Sequence, residues 1–206
     1  MTKLIDHPEA LCNMIRRLAV EAGNVTLEHF DDAGYTGADV KGDGSPVTLA
    51  DQAAEALIEK ALAEMTPDVP MVGEEAVSEG RIPDLSNTDY YWMVDPLDGT
   101  KEFISGSGDY TVNIALIHKD TPVLGVVYAP VPGELYAGFG TTAIKWMEDT
   151  GRDKPITVRD IPRQGLTVVA SKSHGSGEKL DNYLSQFKVE KLMKRGSSLK
   201  ICAVAA

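Results

Sequence analysis

At 206 residues, 43% of them hydrophobic and 25% charged, the chain is long enough to bury a core and too apolar for wholesale disorder. Its 31 acidic against 20 basic residues, a formal net charge of −11, exclude a nucleic-acid polymer or an anionic lipid surface as the bulk partner. A small anionic substrate stays compatible with that charge, because bound cations invert the field of a single pocket.

The opening MTKLIDHPEALC has no long apolar stretch, so no signal peptide is expected. No apolar run approaches the ~20 residues that span a bilayer. Cys12 and Cys202 lack metal-like spacing and read as buried thiols of a reducing compartment, which predicts a soluble cytoplasmic protein.

Residues 8 to 30 predict a helix, with Leu11, Ile15, Leu18, Ala22 and Val25 on one face. The Gly- and Asp-rich segment that follows reads as loop. Thr48 then opens a second helix as N-cap, with Asp51 three residues on and Ala53, Ala56, Leu57, Ala61 and Leu62 as its apolar stripe. From there the period changes. Segments 90–95, 110–118, 122–130, 134–139 and 142–147 are short, rich in β-formers and regularly spaced, which predicts an antiparallel meander. After GRDKPITV, 166–171 reads as a strand, 176–187 as a helix, 188–195 as a strand, and a last helix starts near Ser197. The expectation is an α+β unit over residues 1–160 and the start of an α/β unit over 161–206. The second unit has too few elements for a core of its own and is expected to be incomplete.

Asp95-Pro96-Leu97-Asp98-Gly99-Thr100 carries the chemistry. An apolar strand ends at Asp95, Pro96 holds that residue extended, and Asp98-Gly99 is a turn pair. Two carboxylates and the intervening Leu97 carbonyl can then face one small volume, which suits a hard cation such as Mg²⁺. The amides of Asp98, Gly99 and Thr100 can cradle an anion if a helical turn starts there. Taken alone, the motif reads more readily as an ordinary surface turn with Asp95 as a strand-end cap. Glu74-Glu75 alters that balance: PMVGEE reads as another strand ending in acids, and side-by-side strands bring Glu74 to Asp95. Asp51 is either a simple capping acid or a partner of the Thr100 hydroxyl. His174 and Lys200 are open in the same way, between pocket and solvent.

GEE at 73–75, DPLDGT at 95–100 and SPVTLAD at 45–51, with Lys41 just upstream, resemble the lithium-sensitive, magnesium-dependent phosphatase superfamily of inositol monophosphatases and bisphosphate nucleotidases. SKSH at 171–174 and GSSLK at 196–200 are similar to its bacterial 3'(2'),5'-bisphosphate nucleotidase branch. The resemblance implies a layered α-β-α-β-α sugar-phosphatase fold. It implies two or three Mg²⁺ ions held by Glu74, Asp95, the Leu97 carbonyl and Asp98, clamping an in-line displacement. It implies Thr100, oriented by Asp51, as the group that helps deprotonate the attacking water. It implies a small phosphorylated nucleotide as substrate, contacted by Glu74, Leu97, Asp98, Gly99, Thr100, His174, Gly196 and Lys200. The expected reaction converts adenosine 3',5'-bisphosphate to AMP and phosphate, with PAPS as a second substrate. Peripheral association with an inner membrane is compatible with the resemblance alone. The W-D-x-A motif that the family carries near its C-terminus does not occur here, since Trp92 and Trp146 are both followed by Met. Competing functions are an inositol monophosphatase or fructose-1,6-bisphosphatase-type phosphatase, and a non-catalytic Mg²⁺- or nucleotide-binding module.

Overall fold

The computed structural model describes residues 3–42, 46–172 and 177–206. After a 3₁₀ turn at Leu4–Asp6, helix α1 runs Pro8–Leu27, with Pro8 in the first helical turn where its missing N–H costs nothing. Its buried face is Leu11, Cys12, Ile15, Leu18, Ala19, Ala22, Gly23 and Thr26. The predicted stripe holds up to Ala22, but Thr26 rather than Val25 is the buried residue in the last turn. Gly23 has a steric reason: a Cβ there would meet the Tyr128 ring at 2.5 Å.

Strands β1 (Asp39–Val40) and β2 (Pro46–Val47) form a small antiparallel pair before helix α2, Leu49–Met65. Thr48 caps α2 in a full capping box with Asp51, as its sequence predicts. The buried face of α2 is Ala50, Asp51, Ala54, Glu55, Ile58 and Leu62, rotated by about one residue from the expected apolar stripe. Ala56 is exposed instead. Hydrophobicity misplaces this face because two carboxylates, Asp51 and Glu55, occupy buried positions that charge alone argues against.

Seven strands form the main sheet, in chain order: β3 (Met71–Gly73), β4 (Tyr90–Asp98), β5 (Thr111–His118), β6 (Thr121–Ala129), β7 (Glu134–Phe139), β8 (Thr142–Met147) and β9 (Arg152–Pro155). The predicted meander from β4 to β8 is present, and β9, which reads as a connection, extends it by another antiparallel strand. Within this sheet only β3 runs parallel to its neighbour, pairing Gly73 with Val94. Two short helices, α3 (Glu74–Ser78) and α4 (Thr100–Ile104), follow β3 and β4 directly. Next come β10 (Leu166–Ser171), α5 (Glu178–Leu184), β11 (Val189–Arg195) and α6 (Leu199–Ala205). Strands β10 and β11 are parallel, with α5 in the crossover between them.

Helices α1 and α2 cover one face of the main sheet, burying Trp92, Val94, Ile114 and Val126 among others. On the opposite face Leu199 and Cys202 of α6 pack against Ala129 and Tyr136. Helix α6 also contacts β10 and β11. Helices, large sheet, α6 and small sheet are thus successive layers, as expected of this fold class. A second cluster of Ala50, Leu97, Phe103 and Tyr110, with Phe30 and Tyr35 against it, lies behind the 95–100 segment. Among the described residues no helix is long and apolar enough to cross a membrane.

Candidate active site

In a regular strand, residues three apart point to opposite faces. Asp95 and Asp98 escape that rule through a bulge in β4. Asp95 pairs with Asn113 and Asp98 with Thr111, so Pro96 and Leu97 together oppose one residue of β5. The extra residue restores parity and turns both carboxylates to one face. Pro96 suits the bulge because it has no N–H to give the ladder. Leu97 is buried at 1% exposure and anchors the turn in the aromatic cluster, while its N–H donates to Asp95 Oδ1 at 3.2 Å.

The parallel pairing of β3 with β4 brings Glu74, the residue after Gly73, to the same end of the sheet as Asp95. The predicted convergence of these acids is therefore built into the sheet. Two further residues fix it. Buried Lys41 donates to Glu74 Oε1 at 2.8 Å and to Glu75 Oε1 at 2.7 Å. Burial pulls its ammonium pKa down, but the hydrogen bonds and charges of Glu74 and Glu75 more than offset this and push it up. Glu55 accepts the N–H of Glu75 at 2.8 Å and of Ala76 at 2.7 Å, capping α3 from the side. Gly73 leaves room for it: a Cβ there would meet the Glu55 carboxylate at 2.6 Å. Glu55 has no motif of its own, but its spacing of four from Asp51 puts both acids on one helical face.

Asp51 is 1% exposed. Its Oδ2 accepts from the Thr48 amide at 2.8 Å and the Thr48 hydroxyl at 2.6 Å, while Thr100 Oγ1 donates to Oδ1 at 3.4 Å. Capping and contact with Thr100, the two readings of Asp51, thus coexist in one side chain. Burial raises its pKa, and the bonds from Thr48 counteract only part of the rise. Thr100 also reaches the Leu97 carbonyl at 3.3 Å.

Gly99 turns the chain from β4 into α4 with φ +100°, a left-handed conformation that favours glycine. Across the cleft, the Ser198 N–H donates to Asp98 Oδ2 at 2.6 Å. The Gly196 N–H is directed to Asp109 Oδ2 at 3.1 Å, and the Lys200 ammonium donates to the Ser197 carbonyl. A cleft of about 270 Å³ is lined by Glu74, Asp98, Gly99, Thr100, Ser197 and Lys200, with Lys101 and Ser171 also on its wall. Of the expected site residues, only His174 falls outside the described residues.

Carboxylate oxygens are the ligand type that suits a hard divalent cation. Burial, followed by the charges of Glu74 and Asp98, holds the Asp95 carboxyl well above the usual carboxylate range. A cation among these oxygens would reverse that repulsion. Among the described residues, no three His, Cys, Asp or Glu side chains are already closed around a common point. Lys41, the Leu97 amide and the Ser198 amide each engage one oxygen of Glu74, Asp95 and Asp98 respectively.

The chain matches the inositol monophosphatase family over residues 7–206. It is 43% identical over 195 residues to the 3'(2'),5'-bisphosphate nucleotidase CysQ of Escherichia coli (strain K12), covering 95% of this chain and 76% of that protein. The crystal structure of CysQ from Bacteroides thetaiotaomicron, a bacterial member of the same family, matches with a TM-score of 0.68 and 32% identity, covering 91% of this chain and 73% of that one. The extragenic suppressor protein SuhB of Bartonella henselae, at 24% identity and a TM-score of 0.75, shares the fold over 95% of this chain and 74% of its own. This chain belongs to the inositol monophosphatase family.

Proposed function

We propose that the chain is a magnesium-dependent phosphomonoesterase that removes the 3'-phosphate of adenosine 3',5'-bisphosphate, giving AMP and inorganic phosphate, with PAPS as a second substrate. The observation that carries this reading is the 43% identity with CysQ nucleotidases across 95% of the chain. Glu74, Asp95, the Leu97 carbonyl and Asp98 would hold the ions, two or three in number by family resemblance. When bound, Mg²⁺ neutralises phosphate charge and acidifies water.

The protein's own groups do the rest. The amides of 98–100 and the Lys200 ammonium orient the phosphorylated substrate at the cleft, with His174 assigned to the nucleotide side by resemblance. Thr100, whose hydroxyl lies within reach of both Asp51 and the Leu97 carbonyl, offers its oxygen to the attacking water when its proton turns to Asp51, and the raised pKa of Asp51 suits it to accept a proton. The water oxygen bonds to phosphorus as the P–O3' bond breaks; the water's proton passes by way of Thr100 to Asp51, and the departing 3'-oxygen takes up a proton from solvent. No covalent phosphoenzyme is invoked, since in the sequence no Cys or His stands in a nucleophile constellation, and the two cysteines are buried thiols. Those thiols also suit a cytoplasmic location.

The test is phosphate release by purified protein from adenosine 3',5'-bisphosphate, PAPS, inositol 1-phosphate and fructose 1,6-bisphosphate, with Mg²⁺ and with EDTA. The nucleotide is expected to have the highest kcat/KM and to need the metal. A preference for a sugar phosphate would move the chain to the inositol or fructose branch. Failure to release phosphate from any of them would make it a binding module.

A further inference from the structure

One buried carboxylate joins the two sheets at the cleft. Asp109, between α4 and β5, is 7% exposed. Its Oδ2 accepts from Lys172 Nζ at 2.7 Å and from the Gly196 N–H at 3.1 Å, and its Oδ1 accepts from Arg195 Nη1 at 3.2 Å. Lys172 directly follows β10 and Arg195 ends β11, so one acid holds the ends of both strands of the small sheet. Two charged donors and an amide around a single carboxylate make a strong, directional anchor. Burial opposes its ionisation, but the contacts to Lys172, Gly196 and Arg195 hold its pKa below the usual range.

The backbone fit is equally close. A Cβ on Gly99 would come within 3.2 Å of the Asp109 carbonyl oxygen, and one on Gly196 within 2.7 Å of the same atom. Asp109 is therefore wedged between segments 95–100 and 196–200. Two residues on, the Thr111 hydroxyl shares hydrogen bonds with the hydroxyls of Ser197 at 3.0 Å and Ser198 at 2.9 Å.

We propose that Asp109 is a positioning residue for the phosphatase reaction: by clamping Lys172, Arg195 and Gly196 it sets where Lys200 stands across the cleft from Asp98, while Ser198 keeps its hold on Asp98 through its own bonds to Thr111 and Asn113. This rests on the proposed function. It gives the lysine of the SKSH segment a supporting task rather than a substrate contact. The chemistry of water attack lies with Asp51 and Thr100, whereas Asp109 controls the opposite wall, where the substrate is held. Its loss therefore weakens substrate binding more than turnover.

Asp109→Asn keeps the shape and removes the charge. For adenosine 3',5'-bisphosphate, KM is expected to rise about 10-fold or more while kcat changes less than about 3-fold, the size of a lost charge-assisted contact. Because Asp109 acts through the 196–200 segment, adding Lys200→Ala should cost clearly less than it does in the unmodified protein. A fall in melting temperature with KM unchanged, or effects that multiply independently, would reduce Asp109 to a fold clamp and overturn the proposal. Lys172→Gln combined with Arg195→Gln carries the same test if Asp109→Asn does not fold, since those side chains are only partly buried, at 38% and 40% exposure. Hydrogen exchange needs no substrate: amides 196–200 should exchange faster in either variant while β4 to β6 keep their protection, and unchanged exchange overturns the proposal. Should the unmodified protein fail to hydrolyse the nucleotide, the proposed function falls, and hydrogen exchange still judges the clamp.

Discussion

Asp98 and Ser198 stand 100 residues apart in the chain, and the Ser198 N–H donates to Asp98 Oδ2 at 2.6 Å. The Ser198 hydroxyl donates in turn to Asn113 Oδ1 at 3.0 Å, on the strand opposite Asp95. The orientation of Asp98 is thus fixed by the start of α6 and by β5 together. Such outer support holds a charged group in place without reorganisation when a cation or phosphate arrives.

Asp95→Asn keeps the size of the side chain and removes a charged oxygen from the group of acids. Phosphate release should fall at least ~100-fold, equivalent to ~3 kcal/mol of transition-state stabilisation. More than about a tenth of the original kcat at saturating Mg²⁺ would contradict the assignment. The same variant has a stability signature. The folded pKa of Asp95 is raised by burial and by Glu74 and Asp98, so folding disfavours the charged form. Stability of the metal-free protein therefore declines as pH rises from the ordinary carboxylate range through the raised folded value. Melting curves in EDTA should show Asp95→Asn gaining on the unmodified protein between about pH 5 and pH 8, and Mg²⁺ should stabilise the unmodified protein more.

Glu55 supports the other side of the site. Glu55→Ala leaves the Glu75 and Ala76 amides without their acceptor beneath α3. The cost should be ~2–3 kcal/mol of stability, with Glu55→Gln milder because it retains one acceptor oxygen. Half-saturating Mg²⁺ for activity should rise in both variants, since Glu74 begins the helix that Glu55 caps. A large loss of stability with unchanged Mg²⁺ dependence would separate Glu55 from the site.

What was legible in the sequence was whatever announces itself locally. The period-two runs of β4 to β8, the Thr48 cap and the reversal at Gly99 each carry their signal within a few residues, whereas Asp95 to Asp98, which read as a strand end followed by a turn, continue β4 through a bulge. The Glu74–Asp95 meeting follows if two strands ending in acids are neighbours, and β3 does pair with β4. Segment 152–155 carries no strand signal because RDKP is charged and exposed, an edge strand without a buried face. The face of α2 was misplaced because Asp51 and Glu55 are buried by partners distant in sequence, Thr100 and the 75–76 amides. Asp109 had no sequence signal, since its partners Lys172 and Arg195 lie on a different sheet.

Lithium gives a prediction from the family resemblance. Li⁺ is a small, hard ion that competes for oxygen ligands like those of Glu74 and Asp95 but carries half the charge of Mg²⁺. LiCl should inhibit phosphate release at concentrations where NaCl has little effect. Equal inhibition by the two salts would point to screening of surface charge instead.

Lys200 separates nucleotidase from inositol phosphatase. It lies in the first turn of α6, lines the cleft with Asp98 and Thr100, and donates to the Ser197 carbonyl. A 3',5'-bisphosphate has a second phosphate that a sugar monophosphate lacks, and in a chain of net charge −11 it needs a local cation. Losing one charge-assisted contact costs ~1.5–3 kcal/mol, so Lys200→Ala should lower kcat/KM for adenosine 3',5'-bisphosphate by roughly 10- to 150-fold. Turnover of inositol monophosphate, whatever its starting level, should barely change. The measurement is paired kinetics on both substrates with the same preparation. The bond to Ser197 supplies the opposing outcome: if Lys200 serves only to brace that turn, the mutation disturbs the common wall of the cleft and depresses both substrates alike. In that event Lys200 belongs to the scaffold, and the second phosphate must be recognised elsewhere.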